Sequence, residues 1–228
     1  MIKAVITGDI IHSTEMSAGE KEWLFKSLKL RLKGLDKDYN SKSELYRGDS
    51  FQCLVDNPKD ALRVALIIKT FIRCLNPNEI VDVTTRDKPE TAKSMVSPVW
   101  IFDARMAIGI GEVDLEMKHV ATSNGVAFQL SGEQLDHLKN TRMRLAIAAM
   151  DEYFDELATE SVLLDAIITK TSALQCEVIS LKLLGYTEMA IAKRLKIRQS
   201  AVNQRSIAGN WNAINAMVER FEKIYGDE

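Results

Sequence analysis

Apolar positions along the first half of the chain switch between two periods. Residues 2–8, "IKAVITG", form an almost unbroken β-branched and apolar run, as a buried strand requires. From Gly19 to Leu35 the apolar positions Trp23, Leu24, Leu28, Leu32 and Leu35 recur every three or four residues, which predicts a helix. "SELYRGDSFQCLV" (43–55) alternates on either side of Gly48-Asp49 and predicts a tight hairpin. Pro58 suits a first helical turn, and Ala61, Leu62, Ala65, Ile68 and Ile72 carry a second helix to Leu75. Asn76 to Trp100 has three prolines, many charges and little periodicity, and reads as a long loop. "ARMAIGIGEV" (104–113) is the next strand, followed by a helix (about 126–139), a strand (about 142–149) and a long helix (about 151–169).

Strand, helix, strand, strand, helix, strand is the split βαβ order, so residues 1–150 are expected to form an α+β, ferredoxin-like or palm domain. That arrangement sets the first and third strands antiparallel at the centre of the sheet. Asp9 closes the first strand and Asp49 sits in the hairpin that opens the third, so the two carboxylates should converge at one sheet edge. Adjacent carboxylates repel, and a divalent cation between them reverses the sign of that interaction. Magnesium suits oxygen ligands and is commonly held by one or two carboxylates plus substrate phosphates; the backbone carbonyl of Ile10 is a further candidate ligand. The competing reading is local: Asp9 caps the turn after it, and Asp49 is an ordinary hairpin residue.

The last third is helical throughout. Leu174, Val178, Leu181 and Leu184 form an apolar stripe that stops before Gly185, and Thr187 is placed to cap a second helix with Glu188 in its first turn. Ala190, Ile191 and Leu195 face inward there, a turn follows at Lys196-Ile197, and Ala201 and Val202 open a third helix. This is a helix-turn-helix. Lys196 takes the usual glycine position, at a cost of about 1 kcal/mol if the backbone there is left-handed. Lys193, Arg194, Lys196, Arg198 and Arg205 come without an intervening acid, a basic surface suited to phosphates. In the docking geometry of such motifs, Arg198, Gln199, Ser200, Asn203 and Gln204 reach base edges, while Lys193 and Arg205 meet phosphates. A protein-binding or purely structural trihelical unit is the alternative. After Gly209 the helix is expected to continue through Trp211, Ile214, Met217, Val218 and Phe221, a core or dimer stripe.

Composition changes this picture little. A net charge of −2 over 228 residues argues against a protein that coats nucleic acid by bulk electrostatics and leaves room for a local basic face. Cys53, Cys74 and Cys176 are widely spaced, without a CxxC pair, and read as small buried residues in a reducing compartment. No run approaches eighteen apolar residues and no basic leader precedes one, so a soluble cytoplasmic protein is expected, with no membrane partner. His12, His119 and His137 have neither ligand nor triad spacing, and P-loop, GxSxG and HExxH motifs are absent.

Several stretches also resemble a known family. "GDIIHST" resembles the first metal-binding motif of class III nucleotide cyclases, "YRGDSFQ" their second, "ARMAIGIGEV" a later strand, and "SNGVAFQLSGEQL" the helix that carries their transition-state asparagine and arginine. The resemblance implies a palm-like fold and nucleotide binding through Asp9, Asp49 and Mg2+, with Arg47, Gly48 and Arg105 nearby. It puts Gln129 where those enzymes have asparagine and Glu133 where they have the phosphate-stabilising arginine. Since that arginine neutralises charge on the transferring phosphoryl group, conventional cyclase activity is not expected. The tail is similar to the DNA-reading region of bacterial sigma factors, and the combination resembles the bacterial SatD family. The expected organisation is a palm-like domain (1–150), a connecting helix (151–170) and a helix-turn-helix domain (171–228). The expected function is a DNA-binding transcriptional regulator whose degenerate cyclase-like domain binds a magnesium-nucleotide or serves as a scaffold for a homodimer on double-stranded DNA. The alternative is an active metal-dependent nucleotidyl cyclase or transferase using Asp9 and Asp49.

Overall fold

The structure, a computed structural model, describes residues 1–46, 48–75, 102–115, 120 and 123–226. Strand β1 (Ile2–Ile10) leads through a short 3-10 turn at Ser13–Glu15 into α1 (Ala18–Asp38). A Ser17–Glu20 capping box fixes the start of α1, each residue satisfying the other's free backbone N–H. The hairpin follows as β2 (Ser41–Tyr46) and β3 (Ser50–Val55), then α2 (Ala61–Cys74) and β4 (Ala104–Leu115). The two-residue β5 (Asn124–Gly125), α3 (Val126–Lys139), β6 (Leu145–Ala149) and α4 (Phe154–Lys170) complete this part. The stretch from Asn76 to Trp100, read above as a loop, lies outside the described residues.

The sheet order is β2-β3-β1-β4, with β5 on the end of β4 and β6 pairing β4 in parallel. β1 is therefore central and antiparallel to both neighbours, in a register that sets Asp9 opposite Ser50 on β3 and Arg105 on β4. The split βαβ order is thus realised. Both faces of β1 are covered, which explains its unbroken apolar run. Ala4, Ile6 and Ile10 join α1 and α2 in the main core, while Val5 and Leu54 pack against Val120 and Ala127 of the α3 side.

Helix α3 lies directly on β4. A Cβ at Gly109 would meet the backbone oxygen of Ala127 and stand 2.6 Å from the nitrogen of Ser131. Gly109→Ala is expected to cost about 1–3 kcal/mol by overpacking, read as a fall in urea midpoint with unchanged m-value.

Helices α5 (Ala173–Leu183), α6 (Glu188–Leu195), α7 (Gln199–Ala208) and α8 (Trp211–Tyr225) form the tail. Ile179 and Leu183 of α5 and Ile214, Val218 and Phe221 of α8 belong to the same core as α2, so buried packing runs on past residue 170. Val178, Leu181, Ile191, Ala192 and Val202 make a smaller core joining α5, α6 and α7. Lys196 is left-handed (φ 54°, ψ 40°), the strained conformation anticipated for it.

Three details differ from the sequence reading. Leu174 is exposed while Cys176 and Ile179 turn inward. Ala192 rather than Ala190 fills the small core. The final helix does not continue from α7: Asn210 is left-handed (φ 57°) and breaks the chain, and a Cβ at Gly209 would sit 2.7 Å from Cδ1 of Ile179, so the corner presses against α5. No helix among the described residues is long and apolar enough to cross a membrane.

Candidate functional site

Asp9 is held at the end of the central strand, and the hairpin is drawn over it. The N–H of Ile10 donates to the Asp49 carbonyl at 2.9 Å, and Gly48 makes the turn possible with φ 80°. The chain reverses after β1 through a left-handed His12 (φ 59°), bringing Ser13 Oγ to donate to Asp49 Oδ2 at 2.7 Å. On the α3 face, Thr7 Oγ1 and Ser131 Oγ lie 2.9 Å apart and Gln52 Nε2 donates to Thr7 at 3.1 Å, tying α3 to β1.

The Asp9 carboxylate is only partly satisfied. Arg105 Nη1 is 3.5 Å from Oδ2, while Oδ1 is buried with no hydrogen-bond partner among the described residues. Burial pushes the Asp9 carboxyl above its ordinary value, against the pull of Arg105 and of Lys139 at the end of α3, and the Asp49 charge pushes it further up. A buried oxygen without a donor, beside a second carboxylate, is what a bound cation would satisfy, so the residues present fit a magnesium ion. Asp9, Asp49 and the Ile10 carbonyl would hold it, and the ion would supply positive charge to phosphate oxygens. Among the described residues no group of three or more His, Cys, Asp or Glu converges for a metal, so the edge offers a two-carboxylate site and no fuller cage.

The remaining nucleotide candidates fall in different places. Arg47 lies outside the described residues. Gly48 and Arg105 stand at the Asp9 edge. Gln129 is exposed in the first turns of α3, where the helix crosses Gly109 and Gly111. Gly109 lies four residue steps, about 13 Å, along β4 from Arg105. Glu133 is likewise exposed on α3.

In the tail, Thr187 caps α6 by accepting from the Ala190 N–H at 3.3 Å. Lys193, Arg198, Gln199, Ser200, Asn203 and Gln204 are all exposed. Arg205 is half-buried, its Nη1 3.5 Å from Glu177 Oε2 on α5. Glu188 receives Lys182 Nζ at 2.9 Å and hydrogen bonds from Asn203 and Gln199, which hold its carboxyl below the ordinary value. One carboxylate therefore stands among the outward amides of α7.

A buried ionic group was missed in the sequence. Asp103, 3% exposed, accepts from Lys69 Nζ at 3.0 Å, from Arg73, and from Arg144 Nη1 at 2.8 Å. Burial would raise its pKa, but Lys69, Arg73 and the Arg144 hydrogen bond together hold it below the ordinary value. For Lys69 burial outweighs the carboxylate and its pKa is lowered. Arg73 also donates to the carbonyls of Thr169 and Thr171, and the Arg144 N–H to Asp165 Oδ1, so the group knots α2, β4, β6 and α4 together. One signal was available: besides Arg63, the charges on the largely apolar α2 are Lys69 and Arg73, one turn apart on one face.

No family model and no curated protein matches the chain. Solved structures offer a distant likeness. A bacterial light-regulated adenylyl cyclase is 14% identical over 64% of this chain and 75% of its own, at TM-score 0.43. The catalytic core of a rhodopsin-guanylyl cyclase with converted specificity, in complex with ATPalphaS, is 14% identical over 64% and 77%, at 0.39. The non-canonical dimeric guanylyl cyclase domain of the RhoGC fusion protein from the aquatic fungus Blastocladiella emersonii is 13% identical over 72% and 83%, at 0.41. At these scores the likeness decides nothing about this chain's chemistry.

Proposed function

We propose that the chain is a DNA-binding regulator whose sheet domain binds a magnesium-nucleotide at the Asp9–Asp49 edge. The observation that carries the DNA reading is the outward row Arg198, Gln199, Ser200, Asn203 and Gln204 on α7, on a helix whose back is anchored by Val202 in the small core. As the second helix of a helix-turn-helix, α7 enters the major groove, with Arg198 suited to guanine and the amides to adenine. Lys193 contacts phosphate, and Arg205 does so after leaving Glu177. Two-fold half-sites then call for a homodimer on double-stranded DNA. At the sheet edge Asp9, Asp49 and the Ile10 carbonyl take the ion, while Gly48 and Arg105 face the phosphates.

The test is selection of duplexes from a random pool by the full chain, followed by gel shifts against random duplex, with and without magnesium and nucleotides. The expected outcome is a preferred sequence, with Arg198→Ala losing about tenfold for it and little for random duplex. Equal affinity for every duplex under all conditions would overturn the regulator reading.

A second reading is favoured by the two cations near Asp9. Arg105 and Lys139 could stabilise a transferring phosphoryl group in place of an arginine at Glu133, making the chain a metal-dependent nucleotidyl cyclase or transferase. Incubation with each nucleoside triphosphate and magnesium or manganese decides it, absence of any product removing the enzyme.

A further inference from the structure

A cleft of about 350 Å³ opens where β1 leaves the sheet, and neither Asp9 nor Asp49 lines it. Its walls are apolar: Ile11, Met16 and Phe102, the last with Trp23 tilted against it at 6.2 Å between ring centroids. Its floor is ionic, formed by Asp103 and Arg144. A chamber of this size, apolar along Ile11, Met16 and Phe102 and with Arg144 as its one cationic side chain, has the make-up of a small-molecule site.

Arg144 is the polar group with donors to spare. Its Nη1 is committed to the buried Asp103, its side chain is 35% exposed, and the rest of its guanidinium has no hydrogen-bond partner among the described residues. The ionic group behind it carries an excess of cation: Lys69, Arg73 and Arg144 face Asp103 and Asp165. A guanidinium presents its donors as a rigid fork, so a side chain gripping Asp103 by one edge offers the other to a carboxylate.

The rim narrows the choice of ligand. Glu15 and Glu20 stand at the cleft, Glu15 paired with His12 Nδ1 at 2.9 Å and Glu20 with the Ser17 N–H and hydroxyl at 2.8 and 2.7 Å. Each carboxylate is bonded locally through one oxygen and repels a polyanion such as a nucleoside triphosphate, which favours a ligand of single negative charge.

We propose that this cleft binds a small organic monoanion with an apolar body, its carboxylate on the free edge of Arg144 and its body against Ile11, Met16 and Phe102. The site is separate from the Asp9–Asp49 edge and does not depend on that edge binding anything.

The test is calorimetric titration of the full chain with 3-phenylpropanoate and with 2-phenylethylamine, which share a body and differ in charge. Saturable binding of the acid, with none of the amine, is expected. Arg144→Lys keeps a cation against Asp103 but loses the fork, and should weaken the acid at least tenfold. Met16→Trp fills the chamber without touching the ionic group and should abolish binding, while Asp9→Asn should leave it unchanged. Failure of the acid to bind, equal binding of the amine, or full binding by Met16→Trp would each overturn the proposal. If Arg144→Lys does not fold, Met16→Trp and the amine decide it alone.

Discussion

Asp103→Ala should destabilise the protein by about 3–5 kcal/mol, more than any other single truncation considered, because it strands three cations around one missing carboxylate. Lys69 is fully buried, and without Asp103 its ammonium keeps only the carbonyls of Ala104, at 2.7 Å, and Arg144, at 3.5 Å. Arg73 keeps the carbonyls of Thr169 and Thr171 but loses its only carboxylate among the described residues. The charges of Lys69 and Arg73 cannot be released to water without opening the contact between α2 and β4. Equilibrium urea unfolding at pH 7 reads the loss, and a fall below about 1 kcal/mol would show that the knot is solvated.

The pH dependence follows from the same carboxylate. Its folded pKa lies below the ordinary 3.8, so its stabilisation is complete above that value and is lost as pH falls through the folded one. The gap in stability between wild type and Asp103→Asn is therefore expected to be widest near neutrality and to shrink in acid. Asp165, raised by burial, acts in the opposite sense: its contribution falls as pH climbs from 3.8 toward its folded value. The difference between wild type and Asp103→Asn, rather than either curve alone, isolates Asp103.

Why this knot escaped the sequence, when the Asp9 edge did not, is a matter of what periodicity encodes. The hairpin at Gly48-Asp49 is a local signal, and the split βαβ order converts it into a neighbour relation with β1, where the Ile10 N–H bonds the Asp49 carbonyl. Asp103 sits in no periodic element, and its partners lie 34, 30 and 41 residues away, so no local pattern connects them. Strand β6 was legible as a strand, but its parallel pairing with β4 was not, because an apolar run records burial and not its neighbours. The break before α8 was hidden for a similar reason: Trp211, Ile214, Met217 and Phe221 keep a helical period, while the interruption depends on the left-handed backbone at Asn210.

Asp9→Asn separates what the edge does for folding from what it does for binding. In the protein without metal, the Asp9 carboxylate is buried, one oxygen lacks a donor, and its pKa is raised, so its charged form opposes folding. The sign is opposite to that of Asp103: stability falls as pH rises through the window between 3.8 and the raised folded value, and remains lower above it. An amide removes that charge, so Asp9→Asn is expected to stabilise the metal-free protein at neutral pH. The same substitution deletes an anionic ligand, and affinity for magnesium with a nucleoside triphosphate should fall at least a hundredfold, about 2.7 kcal/mol. Thermal unfolding with and without magnesium and nucleotide measures both effects on one sample, since a ligand bound only by the folded state raises the midpoint. A variant that is more stable alone and insensitive to the ligand marks Asp9 as a residue kept for binding. One that loses stability without metal would make Arg105 a structural partner sufficient for the carboxylate, and the cation would have no place there.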